Sequence, residues 1–167
     1  RGVGALVDAR PAQLAERPDV SRPLVLLSST GTRLICRIAQ SGSAYVACFR
    51  NYSAVVGHLS SHHDVVALIG AGTGSDFREE DQMCCARIAE GLMQFGFTPE
   101  DDATLRLVQR WRGAPLNAFL TSQSVAYLQR SGQLVDLEFI LGHFDDVDWP
   151  GQVAASEGTT RAVAAGV

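Results

Sequence analysis

Two neighbouring acidic residues, Glu80 and Asp81, are the first place in this chain where chemistry is expected. Apolar residues after them recur at helical spacing, and the stripe extended one turn back includes Asp81. A carboxylate in line with the buried face of a helix is costly to desolvate and needs a partner. The candidate partners are a metal ion, a basic group and a hydrogen-bonded loop, and a metal ion would indicate an enzyme. The stripe consists of Cys84, Cys85, Ile88, Leu92 and Phe95.

Polar or glycine-rich segments follow three predicted strands. They are Ser28-Ser29-Thr30-Gly31-Thr32, Arg50-Asn51, and Gly70-Ala71-Gly72-Thr73-Gly74. Hydroxyl groups and the backbone N–H groups of a helix N-terminus bind phosphate or another oxyanion. In an open parallel sheet, ligands bind beyond the carboxyl ends of the strands. An anion site beside a carboxylate pair is the composition expected for magnesium-assisted phosphate chemistry.

Simpler structural roles explain several of these residues. Serine and threonine after a strand are common helix caps, and Asp76 with Glu79 has the spacing of a capping box. The glycine run lacks the final glycine of a dinucleotide-binding loop. The three histidines His58, His62 and His63 are expected to be solvated near a polar helix end.

Strands and helices are predicted to alternate along the chain. The predicted strands are Leu24–Ser28, Ala44–Phe49 and Asp64–Ile69, and the helices after them are Thr30–Gln40, Asn51–Ser60 and one that runs through Phe95. Strands that are apolar on both faces favour a parallel sheet covered by helices on both sides. The sequence therefore predicts an α/β fold with three layers and a mostly parallel sheet.

The C-terminal part is predicted to add helices over Pro99–Arg112 and Ser122–Gln129, and a half-polar strand over Leu134–Ile140. Residues 1–150 are expected to form a single domain. Residues 151–167, which are rich in alanine, glycine and threonine, are expected to be a weakly structured tail.

Composition excludes several classes of protein. The chain has 167 residues, is 46% hydrophobic and has a formal net charge of -4, without a dense cluster of basic residues, so we expect no nucleic-acid partner. No apolar run approaches the roughly 20 residues that span a bilayer, so we expect a cytoplasmic protein without membrane contact. The four cysteines lack zinc-site spacing and are expected to be free thiols. A homo-oligomer is compatible with these features.

The order of three motifs resembles the 2-phosphosulfolactate phosphatase family. The motifs are Ser-Ser-Thr-Gly-Thr at 28–32, Phe-Arg-Asn-Tyr-Ser-Ala-Val-Val at 49–56, and Gly-Ala-Gly-Thr-Gly-Ser-Asp-Phe-Arg-Glu-Glu-Asp at 70–81. The resemblance extends from about Asp8 to Pro150 and is specific in the order and spacing of the motifs. It implies a magnesium-dependent acid phosphatase on a three-layer α/β fold that hydrolyses 2-phosphosulfolactate to sulfolactate and phosphate.

The resemblance also implies the residues of the site. The acidic pair after the glycine-rich loop matches Glu80 and Asp81, and an acidic position of the family falls on Asp136. The predicted catalytic residues are Glu80 and Asp81. The predicted substrate-binding residues are Ser29, Thr30, Gly31, Thr32, Arg50 and Asn51, and the predicted Mg²⁺ ligands are Glu80, Asp81 and Asp136. The expected partner is a small anionic phosphorylated substrate.

Departures from the family pattern leave a second hypothesis open. Thr30 replaces an asparagine, and Ala9-Arg10 precedes Pro11 where the family has Asn-Ser. The family's upstream portion, with an Asp-Val-Leu-Arg-Ala-Thr-Thr signature and a Gly-Glu-Arg segment, is not found in this chain. The alternative is a non-catalytic relative that acts as an anion-binding or interaction module.

Overall fold

The computed structural model of this protein describes residues 10–18, 21, 31–40, 42–72, 76–156 and 159–162. The helices in this part of the chain are α1 (Pro11–Ala15), α2 (Gly31–Ile38), α3 (Tyr52–His62), α4 (Glu79–Gln94), α5 (Asp102–Trp111), α6 (Gln123–Arg130) and α7 (Leu134–Gly142), with a 3-10 turn at Ala118–Thr121. The strands are β1 (Ala44–Tyr45), β2 (Gln152–Ser156) and β3 (Thr159–Ala162). None of the helices in these ranges is long and apolar enough to cross a bilayer.

The predicted three-layer α/β fold with a mostly parallel sheet is wrong. The described strands form a single antiparallel sheet in the order β1-β2-β3, and helices dominate the rest. Of the predicted strand Ala44–Phe49, only the first two residues are a strand, and Asp64–Ile69 forms neither a strand nor a helix. The predicted strand Leu24–Ser28 lies outside the described residues. Apolar runs that fit a central parallel strand therefore do not form one in this part of the chain.

The predicted strand Leu134–Ile140 is also wrong, because this segment forms helix α7. Its side chains fit both periodicities, and the alternation of Leu137 and Phe139 suggested a strand. In the structure Leu137, Ile140 and Leu141, at spacings of three and four, contact one hydrophobic cluster. Packing against α1 and α6 selects the helical pattern.

Helix α4 connects the two hydrophobic clusters formed by the described residues. Its Met83 and Ala86 pack with residues of α5, the 3-10 turn, α6 and α7. On another side, Ile88 and Leu92 pack with residues of α3. The predicted helix that ends at Phe95 is confirmed, with Phe95 as its C-cap. Because α4 serves both clusters, it fixes the position of Glu80 and Asp81 in its first turn.

Residues 145–151, which we call the C-terminal strap, lie across the turn that precedes α3. The backbone N–H of Asp145 donates to the Phe49 carbonyl at 2.8 Å, and that of Val147 donates to the Arg50 carbonyl at 2.8 Å. The N-cap of α3 is Asn51, as predicted, but its side chain makes no cap hydrogen bond. Asp145 provides that bond instead by accepting from the Ser53 N–H at 3.0 Å. The strap then continues into β2, which pairs with β1.

Candidate active site

Asp81 is half-buried, and its partner is a loop. Asp81 Oδ2 accepts a hydrogen bond from the Gly72 backbone N–H at 2.8 Å. A Cβ on Gly70 would lie 3.3 Å from the Asp81 Cβ, so the small residue permits the close approach of the loop. Burial raises the pKa of Asp81, and the neighbouring Glu80 raises it further. Among the partners considered from the sequence, the hydrogen-bonded loop is the one found.

Glu80 faces a different element from Asp81, because successive residues of a helix point about 100° apart. The Ser124 hydroxyl of α6 donates to Glu80 Oε1 in a short hydrogen bond. The second oxygen, Glu80 Oε2, is buried without a hydrogen-bond partner. This oxygen is a candidate for a ligand contact. The Glu80 carboxylate, however, contacts α6, whereas the Asp81 carboxylate contacts the Gly72 loop.

Asp136, the third predicted Mg²⁺ ligand, is buried in α7 and accepts the Ala12 N–H of α1 at 3.1 Å. The three predicted carboxylates thus bind a loop, helix α6 and helix α1. Within the described ranges, no group of three His, Cys, Asp or Glu side chains is arranged to hold a metal ion. These carboxylates alone therefore do not fit a complete magnesium site.

A cavity of about 590 Å³ brings two predicted site residues to the same space. Gly31, the first residue of α2, lines it together with Asp81. Most of the remaining lining is apolar and comes from α2, the segment 44–47, the segment 65–69 and α4. Thr32 lies in the first turn of α2, whereas Ser29 and Thr30 lie outside the described residues.

Asn51 is buried, and its side-chain amide is fully used inside the fold. Its Oδ1 accepts from the Cys48 N–H at 2.8 Å. Its Nδ2 donates to the Val46 carbonyl at 3.1 Å and to the Trp149 carbonyl at 3.0 Å. Asn51 therefore holds the strap against the turn before α3 and has no spare amide hydrogen for a substrate.

Arg50 forms a two-pronged ion pair with Asp146 of the strap. Its Nε and Nη2 donate to the two Asp146 oxygens at 2.7 and 2.8 Å. This bond raises the pKa of Arg50 and lowers the pKa of Asp146. The guanidinium also lies over the Phe139 ring at 5.5 Å. A substrate anion at Arg50 has to compete with this carboxylate.

Three residues that contact the predicted site residues or the segment around them are not predicted from the sequence: Ser124, Asp145 and Asp146. The glycine-rich loop that contains Gly72 is predicted. The acidic run at 145–148 was a visible signal of a polar segment. Its partners at 49–53 lie more than 90 residues away in the chain, and local periodicity carries no information about such a pairing.

Comparison with known proteins supplies the family. A model of the family described as 2-phosphosulpholactate phosphatase matches residues 7–145. This chain belongs to the 2-phosphosulfolactate phosphatase family. No solved structure matches it.

Three curated relatives carry the name probable 2-phosphosulfolactate phosphatase. The protein of Symbiobacterium thermophilum is 34% identical over 50% of this chain and 36% of its own length. The proteins of a Nostoc species and of Gloeothece citriformis are 25% and 31% identical, each over 59% of this chain and 44% of their own length. The chain thus spans less than half the length of these relatives.

Proposed function

We propose that this protein hydrolyses a phosphoric monoester of a small hydroxy acid, with 2-phosphosulfolactate as substrate and sulfolactate and phosphate as products. The observation that carries the proposal is the family match over residues 7–145. The names of the three relatives indicate the same reaction for those proteins. A cytoplasmic location and a small anionic substrate as partner belong to the same proposal.

The cavity provides two features that such a reaction requires. The N-terminus of α2 at Gly31 presents backbone N–H groups and the positive end of a helix dipole, which favour a phosphate group. Asp81 provides a carboxylate in the same cavity. We assign phosphate binding to Gly31 and Thr32, with Ser29 and Thr30 as further candidates.

In this proposal, Asn51 does not contact the substrate, and Arg50 contacts it only after a change of partner. Asn51 is a positioning residue, because its three hydrogen bonds hold residues 46–51 beside the cavity. Arg50 binds the sulfonate or carboxylate of the substrate only after exchanging Asp146 for it. The ion pair with Asp146 keeps the guanidinium oriented until that exchange.

Mg²⁺ dependence is part of the proposal, with Glu80 and Asp81 as candidate oxygen ligands, although the two carboxylates contact different elements in this structure. The buried, unpartnered Glu80 Oε2 supports a ligand role for that residue. Asp136 is less suited, since its carboxylate binds α1 in the interior. Further ligands beyond the described carboxylates are needed to complete a site.

Phosphate release from 2-phosphosulfolactate, measured with Mg²⁺ and with a chelator, tests the proposal. We expect magnesium-dependent release that falls roughly 100-fold or more in Asp81→Asn. Asp102→Asn is the matched control, because Asp102 is an exposed acid in the first turn of α5. Folding of each variant is checked by circular dichroism. The absence of magnesium-dependent release from the parent removes the proposal, and full activity of Asp81→Asn removes the assignment of Asp81.

The second candidate is a non-catalytic anion-binding or interaction module. It is favoured because two predicted site residues already have hydrogen-bond partners within the protein. Asp81 is bound to Gly72, and Arg50 is bound to Asp146. Calorimetric titration with inorganic phosphate and with sulfolactate separates the two candidates. Binding without turnover supports the module, whereas turnover of 2-phosphosulfolactate excludes it.

A further inference from the structure

A second cavity, of about 410 Å³, lies between the first half of α3 and the second half of α4. Its described lining residues belong to these two helices and to the C-cap of α4, and they lie within the continuously described stretches 42–72 and 76–156. None of them lines the cavity that contains Asp81. The proposed hydrolysis therefore makes no use of this second cavity.

Arg87 brings a positive charge to this second cavity that no described carboxylate compensates. Its side chain is half-buried, and its Nη2 donates to the Ala114 carbonyl at 2.5 Å. Its Nε is buried without a hydrogen-bond partner. The ion pairs between described residues are those of Arg50, Arg110 and Arg112. A guanidinium that is partly desolvated and has no counter-ion favours the binding of an anion.

The charges around the second cavity favour an anion with a single negative charge. Glu90 is the one acid among the described lining residues, and its Oε1 accepts from the Arg112 Nε at 3.0 Å. Arg112 is not part of the lining, so it neutralises Glu90 and leaves Arg87 as the unpaired charge. A phosphate monoester carries about −1.5 to −2 charges at pH 7, and its second charge would face Glu90 without a partner. A carboxylate, with one charge, matches Arg87 alone.

The rest of the lining suits the apolar body of an organic ligand. Val56 and the Phe95 ring line the cavity, and Phe95 is 63% exposed. A Cβ built on Gly57 would have no atom within 4 Å, so the space beside α3 is open. The hydroxyl groups of Tyr52 and Ser53 also line the cavity and have no hydrogen-bond partner among the described residues. The lining thus combines one cation, two hydroxyl donors and an apolar surface.

We propose that this second cavity binds a small organic carboxylate that carries an apolar or aromatic group. The carboxylate pairs with Arg87, because a guanidinium matches the planar geometry of a carboxylate. The apolar group packs against Val56 and Phe95. The volume lies within the range of about 300–1,000 Å³ that is typical of small-molecule sites. The proposal is independent of whether the protein hydrolyses phosphate esters.

Titration with phenylacetate, followed by the backbone amide NMR shifts of residues 52–57 and 87–95, tests the proposal. We expect saturable binding with a dissociation constant of about 1 mM or below. Phenylacetamide, which has the same shape without the charge, should bind at least about tenfold more weakly. Arg87→Gln should weaken phenylacetate binding by a similar factor, whereas Arg87→Lys retains the charge and part of the affinity.

A variant that leaves Arg87 intact guards against a loss of folding in Arg87→Gln. Gly57→Leu places a side chain in the open space of the cavity and should weaken phenylacetate binding by at least about tenfold. Gly142→Leu is the matched control, because a Cβ at Gly142 also has no atom within 4 Å and Gly142 does not line the cavity. Circular dichroism checks the folding of each variant.

Three outcomes overturn the proposal. One is the absence of saturable shifts when phenylacetate is added to the folded parent. Another is equal binding of phenylacetate and phenylacetamide, which shows that the charge of Arg87 is not used. The third is phenylacetate binding that is as tight in Gly57→Leu as in Gly142→Leu, which places the ligand outside this cavity.

Discussion

At the residue scale, Asp81 combines a catalytic prediction with a structural cost. Its carboxylate is half-buried, and one backbone N–H, that of Gly72, compensates for part of the lost hydration. The pKa of Asp81 is raised, chiefly by burial. A carboxyl group with a higher pKa in the folded chain destabilises that state as pH rises from its ordinary value of 3.8 through the folded value.

Asp81→Asn is expected to raise the thermal unfolding midpoint at pH 7, because the amide keeps an acceptor for Gly72 and removes the buried charge. The gain over the parent should shrink toward pH 3, where the parent carboxyl is protonated in both states. Scanning calorimetry at both pH values measures it. Asp81→Ala, which removes the acceptor for the Gly72 N–H, is the comparison. A gain that is equal at both pH values contradicts the assignment to charge.

His58 gives the opposite pH dependence. Its Nε2 and that of His63 lie 3.1 and 2.9 Å from the Tyr45 hydroxyl, and its ring stacks on His62. The pKa of His58 is lowered by partial burial and by the charges of His62 and His63. The sequence predicts these three histidines near a polar helix end, and they lie in the second half of α3 and at its C-cap. They also contact one another and Tyr45 of β1.

Stability is expected to fall as pH drops below 6.5, the ordinary pKa of histidine, because the unfolded chain then binds the proton more strongly than folded His58. His58→Gln should reduce this dependence while retaining a hydrogen-bonding partner for Tyr45. Urea unfolding between pH 5 and pH 8 measures the slope. His143→Gln is the control, and a slope that is the same in both variants argues against His58 as the source.

At the element scale, the α3–α4 contact depends on one glycine. A Cβ on Gly91 of α4 would lie 2.8 and 3.0 Å from the two methyl carbons of Val56 on α3. Gly57 follows Val56 in α3, and a Cβ built on Gly57 would have no other atom within 4 Å. Comparing the same substitution at these two helical glycines separates the effect of crowding from the effect of helix propensity.

Gly91→Ala is expected to lower the free energy of unfolding by about 1–3 kcal/mol, because the added methyl overpacks the interface. Gly57→Ala should raise it by about 0.5–1 kcal/mol, because it reduces the conformational entropy of the unfolded chain. Chemical denaturation of both variants measures the difference. Val56→Ala in the Gly91→Ala background should restore part of the loss, and equal effects of the two glycine changes would contradict the contact.

The elements were predictable from sequence where periodicity and local contacts agree. Helix α4 was predicted because its apolar positions recur at helical spacing, and Asp81 was recognised as needing a partner for the same reason. Segment 134–140 was mispredicted because its short apolar pattern fits a strand and a helix equally. The partner of Arg50 was not predictable, since Asp146 is 96 residues away. Long-range pairing leaves no trace in local pattern.

At the scale of the whole molecule, residues beyond Pro150 contribute to the described sheet. The Gly151 carbonyl accepts the Val46 N–H at 2.7 Å, and Val153 is buried opposite Ala44. β1 pairs with β2 through this stretch. The C-terminal residues are thus attached to the turn that carries Arg50 and Asn51.

Truncation after Pro150 is expected to lower the free energy of unfolding by about 2 kcal/mol or more, because buried Val153 and the pairing of β1 are lost. Truncation after Ala162 keeps all three strands and is the control. Denaturant unfolding of both proteins measures the effect. Equal stability of the two truncated chains shows that the sheet contributes nothing to the fold.

The distance in sequence between Asn51 and Trp149 also sets an order of events during synthesis. The Asn51 amide donates to the Trp149 carbonyl across 98 residues, whereas α3 and α4 make contacts over a much shorter separation. A nascent chain can pair α3 with α4 while the ribosome is still adding later helices. Asn51 completes its hydrogen bonds only after the strap has left the exit tunnel. The turn that bears Arg50 therefore acquires its final geometry later than the contact between α3 and α4.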